Sequence, residues 1–296
     1  MHNSPTATDH RGAHPRQRLW QAAFLVAAVT ASLALCGWAA FGAQGSKAPP
    51  HMLLGVPAYV YPGDPELTAL QGLSPAPGIV ILNPGNGDAA FGPSWQAQAR
   101  RLRAQGITVL GYVHSDGASR PLADVETSIR NYLRPATGSD QVSGIFLDEM
   151  SSGCAAEPYY AQLYAYIRGL QRGAFVADNP GAPVNACFLQ PGQRVASTFV
   201  TFEHDAGTYR TSFQGNVQNA NGTFSAGRQY PAGLFWHLIY DAPGSQLGGL
   251  VSLARSRHAG YVYITDGSLP NPWDHAASYA QAEARAAATA APLRRR

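Results

Sequence analysis

Charge is scarce in this chain. Asp, Glu, Lys and Arg make up 13% of its 296 residues, against 45% hydrophobic. That balance excludes a chain kept disordered by its charge and leaves ample material for a large core. The little positive charge is also badly placed for nucleic acid. Taking away the +2 of residues 1–43 and the +3 of Arg294 to Arg296 from the formal +3 leaves −2 for the body, so no basic footprint remains there. Cysteine is equally thin: Cys36, Cys154 and Cys187 stand far apart, with no zinc spacing. The sequence holds no His-x-His and no His-Glu-x-x-His, and no Gly-rich dinucleotide fingerprint follows the first apolar run. Neither a metal nor a cofactor is expected.

One apolar run is long, Ala22 to Phe41, and it follows a polar stretch bearing Arg11, Arg16 and Arg18. This pattern predicts a signal peptide or an uncleaved signal-anchor helix with its basic end in the cytoplasm. Ala40-Phe41-Gly42 offers a small-x-small cleavage site, whereas Leu35 is too large for a lipoprotein signal ending at Cys36. The division that follows is an export segment over 1–43, a linker over 44–52, a body over 53–290 and a basic tail over 291–296. The body is expected to be secreted or membrane-anchored outside the cytoplasm, touching the membrane only through an uncleaved N-terminus, and monomeric. In an oxidising compartment Cys154 and Cys187 remain as a pair, which predicts a disulfide.

Eight short β-branched and aromatic runs punctuate the body: 53–62, 78–87, 108–117, 144–150, 174–181, 197–205, 234–243 and 260–267. Helical periodicity fills most of the gaps between them. Examples are Trp95, Ala99 and Leu102, then Val125, Ile129, Tyr132 and Leu133 behind Pro121, then Tyr160, Leu163, Ile167 and Leu170. Leu247, Leu250, Val251 and Ala254 make a further face, and an Ala-rich helix is expected from about residue 274 to 288. Residues 182–196 and 213–231 show no helical period. Alternation of this kind predicts an α/β fold, a TIM-type (β/α)8 barrel, ahead of an open doubly wound sheet.

Chemistry in such barrels sits at the strand C-terminal ends. Those ends carry Tyr59, Tyr61, Asn83, Tyr112, His114, Asn179, His237 and Tyr240, a set suited to stacking on sugar faces and bonding sugar hydroxyls. They also carry Asp148, Glu149 and Glu203. Strand alternation puts Asp148 on the face of Phe146 and Glu149 on that of Leu147, and groups Glu203 with Phe199 and Thr201. Asp148 and Glu203 thus form a carboxylate pair from strands two apart, the equipment of a glycosidase: one protonates the leaving oxygen while the other attacks or activates water. Glu149 is assigned to hold or polarise one of them. Two rival readings are a barrel that binds polysaccharide without cutting it, and a metal-dependent deacetylase or hydrolase using His114 with Asp116 or Glu203-His204-Asp205.

The stretches "PAYVYPGD", "ILNPGNGDA", "VLGYVHSDGASRPLADVETSIRNYL", "GIFLDEMS", "ADNPG", "TFEHD" and "YITDG", in that order over residues 53–273, resemble the spherulation-specific family 4, grouped with glycoside hydrolase family 135. The resemblance implies a (β/α)8 barrel and endo-hydrolysis of α-1,4-linked N-acetylgalactosamine in an exopolysaccharide. It also implies that the family's fourth-strand acidic pair falls on Asp148 and Glu149, and its sixth-strand glutamate on Glu203. The chain departs from that pattern in its polar 211–231 stretch and its membrane-targeting N-terminus.

Overall fold

The computed structural model describes residues 51–134 and 141–289. The export segment, most of the linker and the basic tail lie outside the described residues. Among those described, no helix is long and apolar enough to cross a membrane.

Along the chain the elements are β1 (Leu53–Ala58), α1 (Pro65–Gln71), β2 (Ile79–Leu82), α2 (Pro93–Arg103), β3 (Thr108–His114), α3 (Leu122–Leu133), β4 (Gly144–Asp148), α4 (Glu157–Leu170) and β5 (Phe175–Asp178). Then follow β6 (Val184–Asn185), β7 (Thr198–Asp205), α5 (Ala206–Thr211), β8 (Val217–Gln218), β9 (Phe224–Ser225), β10 (Phe235–Tyr240), α6 (Leu247–Ser256), β11 (Tyr261–Ile264) and α7 (Ala280–Ala288). Eight strands close into a parallel barrel in the order β1-β11-β10-β7-β5-β4-β3-β2. They coincide with the eight apolar runs of the sequence. The two stretches without helical period contain instead a small three-stranded sheet, β6-β8-β9.

Local sequence accounts for most helix starts. Asp64 caps α1 by accepting from the Glu66 amide at 2.9 Å, with Pro65 in the first turn. At seven residues α1 is too short to display a helical period. The last helix begins only at Ala280, because residues 268–279 are spent on the wall of the barrel mouth rather than on a helix.

Which side chains face the axis follows from three contacts. Phe146 and Trp236 meet with ring centroids 5.9 Å apart although two strands lie between theirs. A Cβ on Gly55 would lie 2.5 Å from the Trp236 ring. Those three positions therefore point inward, and the parallel register carries the inward face to Tyr112 and Asp148. Trp236, fully buried, plugs the middle of the barrel where Gly55 leaves room.

His237 follows Trp236 and so points outward, which overturns its assignment to the sugar site. It is fully buried behind the strands. Nδ1 lies 2.7 Å from the Tyr209 hydroxyl and Nε2 lies 2.7 Å from Asn216 Oδ1. Since the amide oxygen only accepts, Nε2 carries the hydrogen and Nδ1 accepts from Tyr209. Burial, aided by the nearby Arg257 charge, pushes its pKa down to about 3, so the ring is neutral. A histidine at a strand end looked like a ligand; strand parity made it a structural joint.

Cys154 and Cys187 are joined in a disulfide with Cα atoms 5.8 Å apart. It ties the loop after β4 to the crossover between β5 and β7, where Asn185 also donates to the Ser152 carbonyl at 2.7 Å. The bridge closes a 33-residue separation, for which the loop-entropy relation gives roughly 3–4 kcal/mol. Cys154→Ser is expected to lower stability by about that amount, measured as the difference in denaturation midpoint between oxidised protein and variant; an unchanged midpoint would show that the bridge does not constrain the unfolded chain.

Candidate active site

The barrel mouth collects carboxyl groups, and backbone geometry decides how. In β7 the pairing with β10 slips: Trp236 faces Val200 but His237 faces Phe202, leaving Thr201 as an extra residue. This bulge reverses the parity of the strand. Below it Thr198 and Val200 are in register with inward neighbours, and above it Glu203 is in register with Leu238 on the Trp236 face. Glu203 therefore enters the mouth, but Phe199 and Thr201 do not share its face. Thr201 points outward and donates to Asn216 Oδ1 at 2.8 Å. Strict alternation picked the right glutamate by the wrong parity.

A second irregularity sets apart the adjacent acids. Asp148 ends β4 facing inward, while Glu149 has φ +55°, in the left-handed region that costs a non-glycine residue about 1 kcal/mol or more. Backbone bonds hold it there: Gly117 N–H donates to the Glu149 carbonyl at 2.8 Å, and Met150 N–H to the Asn179 carbonyl at 2.8 Å. Ser115 Oγ, linked to the Tyr160 hydroxyl at 2.9 Å, donates to the Asp148 carbonyl at 2.9 Å. The turn swings Glu149 to the rim. There its carboxylate lies 3.9 Å from His114 Nδ1, which itself is 2.8 Å from Asp116.

Asn179 joins the two inward acids. Its Nδ2 donates to Asp148 Oδ1 at 2.7 Å and to Glu203 Oε2 at 2.6 Å. With those two sides of the triangle fixed, the carboxylate oxygens lie no more than about 5.3 Å apart. Asn179 is 6% exposed and its Oδ1 accepts from the Gly181 amide at 2.8 Å, which fixes the amide orientation. Placed in the sequence among sugar-binding residues, it serves here as a brace between carboxyls. Trp273 Nε1 donates to Glu203 Oε1 at 3.2 Å.

Electrostatics separates the pair. Burial raises the pKa of Asp148, opposed by hydrogen bonds from the Tyr112 hydroxyl, the Glu149 amide and Asn179. Burial and the Asp148 charge push Glu203 up to about 7. Two carboxyls this close do not readily ionise together, and the better-solvated one ionises first. Asp148 has three donors and Glu203 two, so the ionised form of Asp148 is the better stabilised of the pair. Glu149 is also raised, by partial burial, by its hydrogen bond with Asp116 and by the Asp148 charge.

The other predicted residues surround this pair. Tyr59 and Tyr112 pack edge to face at 5.6 Å and, with Tyr61, Asn83, Trp95 and Asn271, line a cavity of about 440 Å³ on one side. Tyr61 stands 73% exposed, its ring 5.9 Å from Trp95. On the other side a smaller hollow of about 140 Å³ runs from Gly181 past Glu203 and His204 to Gln214. Tyr240 stacks on His204 at 5.9 Å and meets Trp273 edge-on at 6.2 Å. Trp273, Trp95 and Asn271 belong to the site but were not among the predicted ligands. Trp273 and Asn271 fall beyond the last apolar run and carry no signal, and Trp95 has the spacing of a helix core position.

Among the described residues, His114, Asp116 and Glu149 are the group whose donor atoms lie close enough to hold a metal, within 4.8 Å of one another. Asp116 and Glu149 are exposed, and Asp148 and Glu203 are not part of the group. Glu203-His204-Asp205, the other ligand run of the sequence, is dispersed. Glu203 faces the mouth, while His204 bonds Asp205, which caps α5 through the Thr208 amide at 2.8 Å.

Comparison with known proteins places the chain. Spherulin-4 of Physarum polycephalum is 29% identical over 218 residues, 72% of this chain and 63% of that protein, so the chain spans less than two thirds of this relative. The crystal structure of Aspergillus clavatus Sph3 in complex with GalNAc superposes with a TM-score of 0.66 at 22% identity, covering 82% of this chain and 99% of that one. That likeness establishes the shared barrel fold. The sequence model for spherulation-specific family 4 matches residues 54–287, the whole barrel from β1 to the last turn of α7, and the chain belongs to that family.

Proposed function

We propose that this protein is an exported, endo-acting glycoside hydrolase that cleaves amino-sugar exopolysaccharide of the N-acetylgalactosamine or galactosamine type with retention of configuration. The observation that carries the reading is the single Asn179 amide shared by Asp148 and Glu203. It keeps the bonded oxygens of the two carboxyls within about 5.3 Å of each other, which supports a retaining pair over the 6.5–9.5 Å spacing that leaves room for an inverting water. GalNAc bound to the similarly folded Aspergillus barrel supports the substrate class. The cavity lined by Tyr59, Tyr61, Asn83, Tyr112 and Asn271 supports the seating of further sugar rings of a chain.

In this mechanism Asp148, ionised, attacks the anomeric carbon. The glycosidic C–O bond breaks, and Glu203 gives its proton to the departing oxygen. Glu203, now a carboxylate, takes a proton from water, which displaces Asp148 and releases the product. Asn179 orients both carboxyls, Tyr112 stabilises the ionised Asp148, and Trp273 steadies Glu203. Tyr59, Tyr61, Asn83 and Tyr240 hold sugar rings along the cleft, while the acidic rim of Glu149 and Asp116 with His114 accepts hydrogen bonds from amino or acetamido N–H groups. A second reading rests on His114, Asp116 and Glu149 as a metal site for a deacetylase or hydrolase. Activity abolished by a chelator and restored by a divalent ion would favour it.

Asp148→Asn and Glu203→Gln should each cost at least about a hundredfold in release of fragments from a partially deacetylated galactosaminogalactan, with unchanged circular dichroism; full activity in either variant rules out its role. The same Glu203→Gln change should stabilise the protein above pH 7. The raised pKa of Glu203 means that ionising it costs the folded state, and this destabilisation grows as pH rises from the usual glutamate range through about 7.

The rate itself should decline as pH rises through about 7, when Glu203 loses its catalytic proton. Since the Asn179 bond lowers the Glu203 pKa, Asn179→Ala should move that limb to higher pH while lowering kcat. A limb that stays in place would detach it from Glu203. Finally, proton NMR of the first products should show the anomeric configuration of the bond cleaved; an inverted anomer would assign Asp148 to water activation instead.

A further inference from the structure

The described body is close to neutral, yet its charges are sorted by height. It contains no lysine and fourteen arginines, of which only Arg120 and Arg210 lie on segments that follow strand C-terminal ends. The rest sit in the second half of helices or in the connections that lead into strands, which in a barrel of this kind is the face opposite the mouth. Carboxylates occupy the mouth side. Glu126 and Glu283, at mid-helix, come nearest to the far face, and the first is 4.0 Å from Arg130 while the second is fully buried.

Arginine is placed before six of the eight barrel strands, so the charge forms a ring. Arg101, Arg134, Arg172, Arg194 and Arg228 among them are exposed, as is Arg285 in the last helix. Where the side chains of this ring are seen to bond to the protein, they meet neutral oxygens rather than carboxylates: Arg101 donates to Gln98 Oε1 at 2.5 Å. Arg194 Nε donates to the Ala196 carbonyl at 3.2 Å, and Arg228 donates to that of Ser256. Such bonds leave the positive charge uncompensated.

Arginine in a last helical turn also offsets the helix dipole. The magnitudes decide how far that explains the ring. Each helix end contributes about half a negative charge, so the six helices that end on this face supply about three. Setting aside Arg100 and Arg103, which make other interactions, six arginines of this face are exposed, about twice what those helix ends offset, so a net positive charge is presented to solvent.

We propose that this arginine face docks the barrel on an anionic phospholipid surface, leaving the mouth turned away from it. Lipid is favoured over a soluble polyanion by the order of the chain: β1 starts on this face, and the apolar run 22–41, expected from the sequence to enter a membrane, precedes it. Basic residues next to a bilayer are drawn to acidic headgroups over about a Debye length, and salt weakens that attraction. The docking places a cleft that accepts long polymer on the open side, and it stands whether or not the glycosidase reading holds.

The test is vesicle co-sedimentation of the full chain, with phosphatidylcholine vesicles compared with vesicles containing phosphatidylglycerol, alongside the variant Arg101→Gln/Arg134→Gln/Arg172→Gln/Arg194→Gln. Wild type should bind the anionic vesicles at least about tenfold more tightly than the variant, with the gap closing in high salt and both binding phosphatidylcholine alike. Equal thermal melting of the two proteins keeps the comparison one of charge. Equal affinity for anionic vesicles would overturn the proposal. So would a wild-type preference for soluble anionic polysaccharide with no gain from phosphatidylglycerol.

Discussion

One amide nitrogen holds the centre of this molecule together. Two carboxyls in a low-dielectric barrel mouth repel when both are ionised and drift when neither is. Asn179 gives each a hydrogen bond from the same Nδ2, and its own carbonyl oxygen is pinned by the Gly181 amide. Everything nearby serves that triangle: the tyrosine that favours charge on Asp148, the tryptophan that meets Glu203, and the disulfide that fastens the two loops beside it. The proton that the pair shares is central to the proposed chemistry, and the extra donors on Asp148 favour its staying on Glu203.

Backbone irregularity supplies what regular strands could not. A parallel barrel of ideal alternation would have sent Glu203 to the outer wall with Phe199. The extra residue at Thr201 turns it inward, while Thr201 itself is absorbed into the buried network of Asn216, His237 and Tyr209. At Glu149 the left-handed turn does the reverse, taking the second of two consecutive acids out of the mouth. Asp178, which faces outward in β5, is fully buried, and neither carboxyl oxygen has a hydrogen-bond partner; burial pushes its pKa far up and keeps it neutral. The strand ends thus contain two kinds of acid, one solvated by designed donors and one silenced by the core.

These irregularities mark the limit of what could be read from the residues alone. Eight strands and five of the seven helices were visible because composition, hydrophobic period and strand length are local properties, and the parallel barrel followed from their alternation. Tyr59, Asn83, Tyr112 and Asp148 were legible for the same reason, each at the end of an apolar run. The bulge at Thr201 left no trace, since nothing in "TFVTFEHD" distinguishes a slipped register from a straight one. His237 was misplaced because its strand begins with two aromatic residues, and deciding which of them fills the axis requires knowing Gly55. Asn179 was seen as a polar rim residue, but its bracing role depends on a distance between strands that no single segment encodes.

The plug at the barrel's waist has a consequence for the family as a whole. Gly55 and Trp236 divide one volume between two strands 181 positions apart in the chain, and a single added methyl at residue 55 would fall inside the indole. Neither site is free to vary alone. Relatives that place alanine or anything larger on the first strand must shrink the ring on the seventh barrel strand, and those that keep the tryptophan must keep the glycine. Two positions with no chemistry of their own are therefore bound to change together across the lineage, as a pair of correlated substitutions.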